Sequence, residues 1–297
     1  MIQYKGKKII IMACSKCNIN CKHCYISYSG NRKPEELLTL VKELKKIYEI
    51  NINGAEILTD PRYLESYKEI GQNFVMSNGL VFLQNPIICK TLKVNGIDSV
   101  SLSYHFGIQN EVSQISYEKF KKIIEIIKNN ELNFRLLTTI TKNNYKMVDM
   151  MCEEAKKLGA KGIKFTNFIN QGNAINLNQN YALNEEKIQE FLLEINKIRE
   201  KYSKSELIIE RCGTFGKSKI KDNFCCNCIK DLVVLTPDNN VYPCVFLAKP
   251  GFEIGKMINY KIYLNDEFYT KSTECLSKEI CNNEKQLMRR IKWKNKF

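Results

Sequence analysis

Residues 7–25, KKIIIMACSKCNINCKHCY, join a short apolar run to four cysteines that fall within eleven positions. The apolar run predicts a buried strand, because it is far shorter than the roughly 20 residues that a membrane-spanning helix needs. The cysteines follow this strand directly, as two Cys-x2-Cys pairs separated by three residues. Cysteines clustered in this way indicate a metal site at the end of a strand.

From residue 8 to about residue 200, short apolar runs alternate six times with longer amphipathic runs. The predicted strands are KIIIMA, GAEIL, NFVMS, DSVSLS, NFRLLTTI and KGIKFTNFI. A helix is predicted after each strand, and the first helix begins at Pro34, a residue suited to a first helical turn. Successive βα units give parallel strands joined by right-handed crossovers. The pattern therefore predicts an α/β fold, either a doubly wound sheet or a barrel-like arc.

The position of the cysteines in this fold indicates where the functional site lies. In both arrangements ligands bind at the carboxyl ends of the parallel strands. The cysteine cluster follows the first strand, so we expect it at the functional end of the sheet.

After about residue 203 the alternation stops and cysteines become frequent. The stretch LVVLTPDNNVYPC, residues 232–244, predicts a hairpin with a turn at Pro-Asp-Asn-Asn. We therefore expect an α/β core over residues 1–205 and a small cysteine-rich α+β domain over residues 206–297.

The amino-acid composition indicates which kinds of partner the protein could bind. The 13 cysteines are odd in number and no secretory signal precedes them, which favours metal binding in the reducing cytoplasm over disulfides. No apolar run could span a membrane, so we expect no membrane partner. The net charge of +14 would suit an acidic partner or nucleic acid. The lysines are nevertheless spread over many predicted helix faces and no nucleic-acid motif is present, so a nucleic-acid partner is not expected.

Three kinds of metal site fit the first four cysteines. Four thiolates could hold a structural zinc ion, although a three-residue spacer is short for that. Closely spaced cysteines could also hold a ferredoxin-type iron–sulfur cluster. The third interpretation uses only Cys17, Cys21 and Cys24, which would leave one iron of a four-iron cluster open, as catalytic metal sites do.

The stretch CNINCKHCY, residues 17–25, resembles the signature of the radical S-adenosylmethionine (radical SAM) superfamily. The resemblance implies a partial (β/α)6 TIM-like barrel and a [4Fe–4S] cluster held by Cys17, Cys21 and Cys24, with SAM bound to the open iron. Reductive cleavage of SAM would then give a 5′-deoxyadenosyl radical that abstracts a hydrogen atom from the substrate. Cys14 would be spare, as a small buried thiol without a ligand role.

Further motifs carry the same resemblance. GAEIL, residues 54–58, resembles the Gly-Gly-Glu motif of the family. Glu56 would accept a hydrogen bond from the ammonium group of SAM, Gly54 would allow close approach of the backbone, and Ala55 replaces the usual second glycine. The motifs of the third to fifth strands and the residue before the last cysteine imply four more contacts with SAM: His23, Asn78, Ser103 and Asn143. His105 departs from the family pattern, and a structural role for it is at least as compatible with the sequence.

The second field of cysteines, CCNCIKDLVVLTPDNNVYPC followed by EIGKM, resembles the SPASM or twitch extension of the family. Asn239 replaces the turn glycine, which asparagine can do because it also adopts positive φ. The resemblance implies one auxiliary [4Fe–4S] cluster, with a zinc site from the same thiolates as the alternative. Its expected ligands are Cys226 or Cys228, with Cys244, Cys275 and Cys281. Cys212 and Cys225 are candidate hydrogen donors to a substrate radical.

Extensions of this type imply an oxidoreductase-like enzyme that modifies a residue of a ribosomally made peptide or protein, by a crosslink, an epimerisation or an oxidation. A radical SAM dehydrogenase of a small alcohol or sugar derivative is the first alternative. A basic, zinc-binding nucleic-acid protein is the second. A flavodoxin-type or ferredoxin-type protein would donate the electron. Only 13 residues precede Cys14, so we expect a peptide to be bound by the barrel, the basic C-terminal tail or a partner protein.

Overall fold

The computed structural model describes residues 1–177, 181–212, 215 and 231–266. This part of the chain divides into two compact units. Unit 1 contains residues 1–16, 26–72 and 231–266, and unit 2 contains residues 17–25 and the described residues from 73 to 215. Each unit has its own sheet.

The strands and helices are numbered along the chain. The strands are β1 (Ile2–Gln3), β2 (Lys8–Met12), β3 (Glu49–Asn53), β4 (Phe74–Ser77), β5 (Ser99–Ser103), β6 (Asn133–Ile140), β7 (Gly162–Asn167), β8 (Ile208–Arg211), β9 (Leu232–Leu235), β10 (Asn240–Tyr242), β11 (Gly255–Ile258) and β12 (Lys261–Leu264). The α-helices are α1 (Pro34–Leu44), α2 (Leu64–Glu69), α3 (Leu80–Gln84), α4 (Ile88–Val94), α5 (Gln109–Val112), α6 (Tyr117–Asn129), α7 (Val148–Leu158) and α8 (Glu185–Lys201).

Unit 1 contains a seven-stranded sheet in the order β1-β12-β11-β10-β9-β2-β3. The strand that leads into the cysteines, β2, pairs in parallel with β3 on one edge and with β9 on the other. Its residues Ile9 and Ile11 are fully buried. Pairing on both edges and burial of alternate side chains hold the end of β2 in place, and therefore the start of the cysteine-containing segment.

The predicted hairpin of residues 232–244 is confirmed. Strands β9 and β10 pair antiparallel, with Val241 opposite Leu235. Asn239 adopts a φ of 65°, the conformation expected where it replaces glycine. The turn is held by Arg32, which is 8% exposed and donates to the Thr236 carbonyl at 2.9 Å and to Asn239 Oδ1 at 3.0 Å.

Unit 2 contains five strands, all parallel, in the order β4-β5-β6-β7-β8. Helix α6 buries Phe120, Ile124 and Ile127 on one face. Helix α7 ends at Gly159, whose φ of 86° is the left-handed conformation in which helices commonly end. Because the strands are parallel, the segments that follow β4, β5, β6 and β7 all begin at one edge of this sheet.

One predicted strand is wrong. GAEIL is not the second strand: β3 ends at Asn53, and Ile57–Thr59 form a turn of 3₁₀ helix. The reason is the register with β2, in which Met12 lies opposite Asn53, so the partner strand ends there. Glu56 accepts a hydrogen bond from the Leu58 N–H and caps the 3₁₀ turn instead.

Several short elements were not predicted, among them helix α3 and strand β8. Helix α3 precedes α4, and it is a single short turn of five residues. Strand β8 pairs in parallel with β7, and it carries only two adjacent apolar residues, Ile208 and Ile209. Both segments are too short to show a period in the sequence.

The α/β class is confirmed. Strands β2 to β7 are each followed by helical structure before the next strand, as the six predicted βα units require. Strands β3 and β4 belong to different sheets, so the described strands form no closed barrel.

Candidate functional site

The cysteine loop, residues 17–25, has no helix or strand of its own. Its backbone bonds are made to the segment after β5: Lys22 N–H donates to the Val112 carbonyl at 3.0 Å, and Asn20 N–H donates to Gln114 Oε1 at 2.8 Å. The segment after β7 contributes Asn173, whose Nδ2 donates to the Cys21 carbonyl at 3.1 Å. The loop is therefore fixed by segments at the carboxyl ends of two strands of unit 2.

Three predicted ligands share this loop. Cys17 is exposed, Cys21 and Cys24 are half-buried, and none of the three forms a disulfide. Burial raises the pKa of Cys21 to about 11, and the nearby charges of Cys24 and Cys17 add to the effect, against a hydrogen bond from Ser113 that lowers it. Three neighbouring thiolates repel one another. Positively charged iron bound to them would stabilise their deprotonated forms.

Within the described residues, no group of three or more His, Cys, Asp or Glu side chains is placed to hold one metal ion. In a four-iron cluster each thiolate binds a different iron atom, so the three sulfurs need not converge on one point.

Cys14 has the environment of a structural thiol. It is 1% exposed in unit 1, its backbone forms a bridge with Asn31, and its carbonyl accepts from the Tyr28 hydroxyl at 3.0 Å. A Cβ atom added to Gly54 would meet the Cys14 Sγ at 2.8 Å. The glycine is therefore required by the packing of Cys14, a neighbour that the motif alone did not reveal.

Glu56, the predicted SAM-binding carboxylate, lies two residues farther along in unit 1. It is 0% exposed, its N–H donates to the Lys16 carbonyl at 3.1 Å, and its Oε1 accepts from the Leu58 N–H at 3.4 Å. Ala55 N–H donates to the Cys14 carbonyl at 2.9 Å. These bonds tie the segment 54–56 to the chain that follows β2.

Asn78 contacts the first ligand of the cysteine loop. It follows β4, it is 9% exposed, and its Nδ2 lies 3.5 Å from the Cys17 Sγ and 2.8 Å from Asn18 Oδ1. Its own Oδ1 accepts from the Leu80 N–H at 2.9 Å. The sequence predicted Asn78 as a SAM contact, whereas the structure shows it as a hydrogen-bond donor to a predicted ligand sulfur.

His23 and His105 form a ring pair in unit 2. Their centroids are 4.1 Å apart and their planes are inclined by 72°. Burial lowers the pKa of His23 to about 4, against the Val112 carbonyl, which raises it. Burial lowers the pKa of His105 well below its usual value, and the charge of His23 lowers it further. Both rings are therefore neutral at physiological pH.

The other two predicted SAM contacts lie at the same edge of this sheet. Ser103 is the last residue of β5 and is half-buried. Asn143 follows β6 and is exposed. It lines an open cleft of about 610 Å³ together with Lys22, Glu111, Lys142, Leu177 and Tyr181.

Asn144, next to it, was missed by the sequence reasoning. It is 1% exposed, and its Oδ1 accepts from the Thr141 N–H at 2.8 Å. Its Nδ2 donates to the carbonyls of Phe106 at 3.2 Å and Thr139 at 3.1 Å. It thus links the chain after β5 to the end of β6. The pair Asn143-Asn144 was visible in the sequence, but nothing in it indicated which of the two is buried.

Two of the predicted C-terminal cysteines lie in the described residues. Cys212 follows β8 and is half-buried, and its N–H donates to the Phe165 carbonyl at 2.8 Å. Cys244 follows β10 and packs against a buried cluster that includes Tyr242 and Phe252. The remaining five lie outside the described residues: Cys225, Cys226, Cys228, Cys275 and Cys281. The auxiliary ligand set stays a prediction.

Among the residues that the structure describes, no helix has both the length and the apolar character that a bilayer crossing requires.

Comparisons with known proteins give one curated relative and several solved structures. No family model matches the sequence. The AdoMet-dependent heme synthase of Methanosarcina barkeri (strain Fusaro / DSM 804) is 26% identical over 160 residues. That match covers 48% of this chain and 45% of the relative, so it spans less than half of the relative's length.

Two solved structures cover nearly the whole chain. A structure of anSMEcpe with bound AdoMet and the Cp18Cys peptide has a TM-score of 0.63 at 21% identity, over 95% of this chain and 86% of the other. Streptococcus suis SuiB has a TM-score of 0.63 at 11% identity, over 98% of this chain and 72% of the other. At these identities the similarity establishes the fold, and it confirms the predicted α/β class with a partial TIM-like barrel.

Proposed function

We propose that the chain is a member of the radical SAM superfamily, which binds a [4Fe–4S] cluster and SAM and cleaves SAM reductively. It then abstracts a hydrogen atom from a residue of a ribosomally made peptide or protein. The observation that carries this proposal is the cysteine loop, which presents the thiols of Cys17, Cys21 and Cys24, none of them in a disulfide, at the functional edge of an α/β fold.

The residues of the chain have distinct tasks in this proposal. Cys17, Cys21 and Cys24 bind three irons and leave the fourth iron for SAM. Glu56 accepts from the ammonium group of SAM, and His23 contacts its adenine. When bound, the cluster supplies the electron and SAM supplies the organic radical. The bonds from the loop to Val112, Gln114 and Asn173 hold the three thiols in place before any cofactor arrives.

Three predicted SAM contacts have weaker structural support. Asn78 bonds to Cys17, so its proposed task is to hold the loop and to donate to the ligand sulfur. Ser103 lies at the end of β5, where a hydroxyl suits a ribose or carboxylate contact. Asn143 lies on the open cleft and is the most exposed of the set, which suits a contact at the rim of the site.

A peptidyl substrate is the class that we favour. The solved structure of anSMEcpe that shares this fold contains a bound peptide together with AdoMet. The cleft beside the cysteine loop is open, and it is lined by Lys22, Lys142 and Glu111, so it could take polar groups of an extended chain. The expected products are a crosslink, an epimer or an oxidised side chain.

We further propose an auxiliary [4Fe–4S] cluster of the SPASM or twitch type in the C-terminal region. Its ligands are drawn from Cys226 or Cys228, with Cys244, Cys275 and Cys281. If the product is an epimer, the S–H group of Cys212 or Cys225 would give its hydrogen atom to the substrate radical. The thiyl radical left behind would regain the thiol by taking one electron from the electron donor and one proton. The electron that starts the reaction comes from a flavodoxin-type or ferredoxin-type donor.

Mass spectrometry of a candidate peptide tests the substrate class. The peptide encoded by a short reading frame next to this gene is co-expressed with the wild-type chain, and with a control chain carrying Cys17→Ala, Cys21→Ala and Cys24→Ala. We expect a change in peptide mass with the wild type only: a loss of hydrogen for a crosslink or an oxidation, and uptake of deuterium from D2O for an epimer. Turnover of a small alcohol or sugar, with all such peptides unmodified, would contradict the proposal.

A further inference from the structure

His23 precedes the last cysteine of the loop, and one hydrogen bond orients it. Its Nδ1 lies 3.3 Å from the Val112 carbonyl. A carbonyl only accepts, so this nitrogen carries the proton. The same carbonyl accepts the Lys22 N–H at 3.0 Å. This hydrogen bond fixes one atom of the His23 ring, and the plane of the ring is set by the group that packs against it.

His105 is fixed much more firmly than His23. It is 6% exposed, and its backbone N–H donates to Gln109 Oε1 at 2.8 Å. Its carbonyl accepts from the Ile108 N–H at 3.0 Å. Its ring Nδ1 accepts from the Thr139 N–H of β6 at 3.2 Å, so the proton of the neutral ring is on Nε2. The ring is anchored to β6, and its backbone is anchored to α5 and the turn before it.

The two rings meet edge to face. The inclination of 72° is an edge-to-face orientation, which aromatic pairs prefer, and the centroid distance of 4.1 Å places the two rings in close contact. The anchored partner is His105 and the loosely held partner is His23. His105, which is held by the sheet, therefore restricts the ring of His23 in the cysteine loop.

We propose that His105 is a positioning residue for SAM binding, which acts by fixing the ring plane of His23 next to Cys24. The inference rests on the proposed function, because it assigns His23 to the SAM site. His105 is not among the residues that line the open cleft.

Two substitutions separate the ring of His105 from its hydrogen bond. His105→Phe keeps a ring that can meet His23 but loses the acceptor for the Thr139 N–H. His105→Asn loses the ring but keeps an acceptor at a position close to Nδ1. If His105 matters only for stability, the two variants should differ from each other in melting temperature but not in their affinity for SAM.

The experiment measures the dissociation constant of SAM for the anaerobically reconstituted full-length chain, by equilibrium dialysis at equal cluster content. We expect His105→Asn to bind SAM about threefold to tenfold more weakly, the size of effect that one aromatic pair gives. We expect His105→Phe to stay within about twofold of wild type. The change that SAM makes in the EPR spectrum of the reduced cluster should shift in His105→Asn and persist in His105→Phe.

The experiment distinguishes a failure of this inference about His105 from a failure of the proposed function. A wild-type chain that carries iron but neither binds nor cleaves SAM would overturn the proposed function and this inference with it. If the wild type binds and cleaves SAM, equal affinities for wild type and His105→Asn would overturn the positioning role alone. Equal weakening in both variants would also overturn it, because the ring would then not be the part that acts.

Discussion

Glu56 carries the clearest single-residue prediction. Its carboxylate is fully buried, yet its bond to the Leu58 N–H is long at 3.4 Å. Glu56→Gln keeps an acceptor for that N–H but removes the charge that would pair with the SAM ammonium. Loss of one charge-assisted hydrogen bond, about 1.5–3 kcal/mol, should weaken SAM binding roughly tenfold to hundredfold.

Equilibrium dialysis of SAM checks this prediction. The matched control is Glu65→Gln, an exposed glutamate of α2 in the same unit, which should leave the affinity unchanged. A Glu56→Gln chain that binds SAM as tightly as the control would remove Glu56 from the site.

Asn78 leads to a prediction about the cluster itself. Its Nδ2 is 3.5 Å from the Cys17 Sγ, and hydrogen bonds to ligand sulfurs are one of the levers that set the potential of an iron–sulfur cluster. Such a bond stabilises the more negative, reduced state. Asn78→Leu should therefore make the midpoint potential more negative than that of wild type in an EPR-monitored redox titration. An unchanged potential at full iron content would show that this bond does not persist in the loaded protein.

At the scale of elements, the ends of β5 and β6 are joined by one buried side chain. Asn144 makes three hydrogen bonds to backbone groups of Thr141, Phe106 and Thr139. Asn144→Ala leaves buried backbone groups unsatisfied, so we expect it to lower the free energy of unfolding by about 2–3 kcal/mol. Asn143→Ala, one residue away and exposed, should change it by less than about 0.5 kcal/mol. Urea denaturation of the two variants measures the difference, and equal values would contradict this account of the strand ends.

The same elements show what the sequence could predict and what it could not. The βα alternation and the hairpin at Asn239 were predictable because each depends on a local pattern. The shift of the second strand to Glu49–Asn53 was not, since its end is set by pairing with Met12. The contact that holds Asn20 to Gln114 joins residues 94 positions apart, and no local period reports it.

In the candidate site, too, features that depend on a local pattern were predictable and those that depend on long-range contacts were not. Cysteine spacing predicted a metal loop, and in the structure the three cysteines of that loop form no disulfide. The roles of Asn78, His105 and Asn144 depend on which strand ends are neighbours in the sheet. That is a property of the fold, so spacing along the chain could not assign them.

At the scale of the whole molecule, iron content tests the proposal for the C-terminal region. Cys244 is the one proposed auxiliary ligand among the described residues, and it is half-buried at the end of the hairpin. If a second cluster is present, Cys244→Ala should lower the iron content of the reconstituted chain by up to one cluster and leave cleavage of SAM measurable. Cys89→Ala, a buried cysteine of α4 in the other unit, is the control and should keep all the iron. Equal iron in both variants would remove Cys244 from the ligand set.

The central claim is that three cysteines of one loop hold a cluster that cleaves SAM. The most direct test incubates the anaerobically reconstituted chain with SAM and dithionite and quantifies 5′-deoxyadenosine by liquid chromatography. The account predicts 5′-deoxyadenosine from the wild type and from Cys14→Ala, and none above background from a chain with Cys17→Ala, Cys21→Ala and Cys24→Ala. A wild-type chain with its full complement of iron that releases no 5′-deoxyadenosine, or a triple variant that releases as much as wild type, would contradict it.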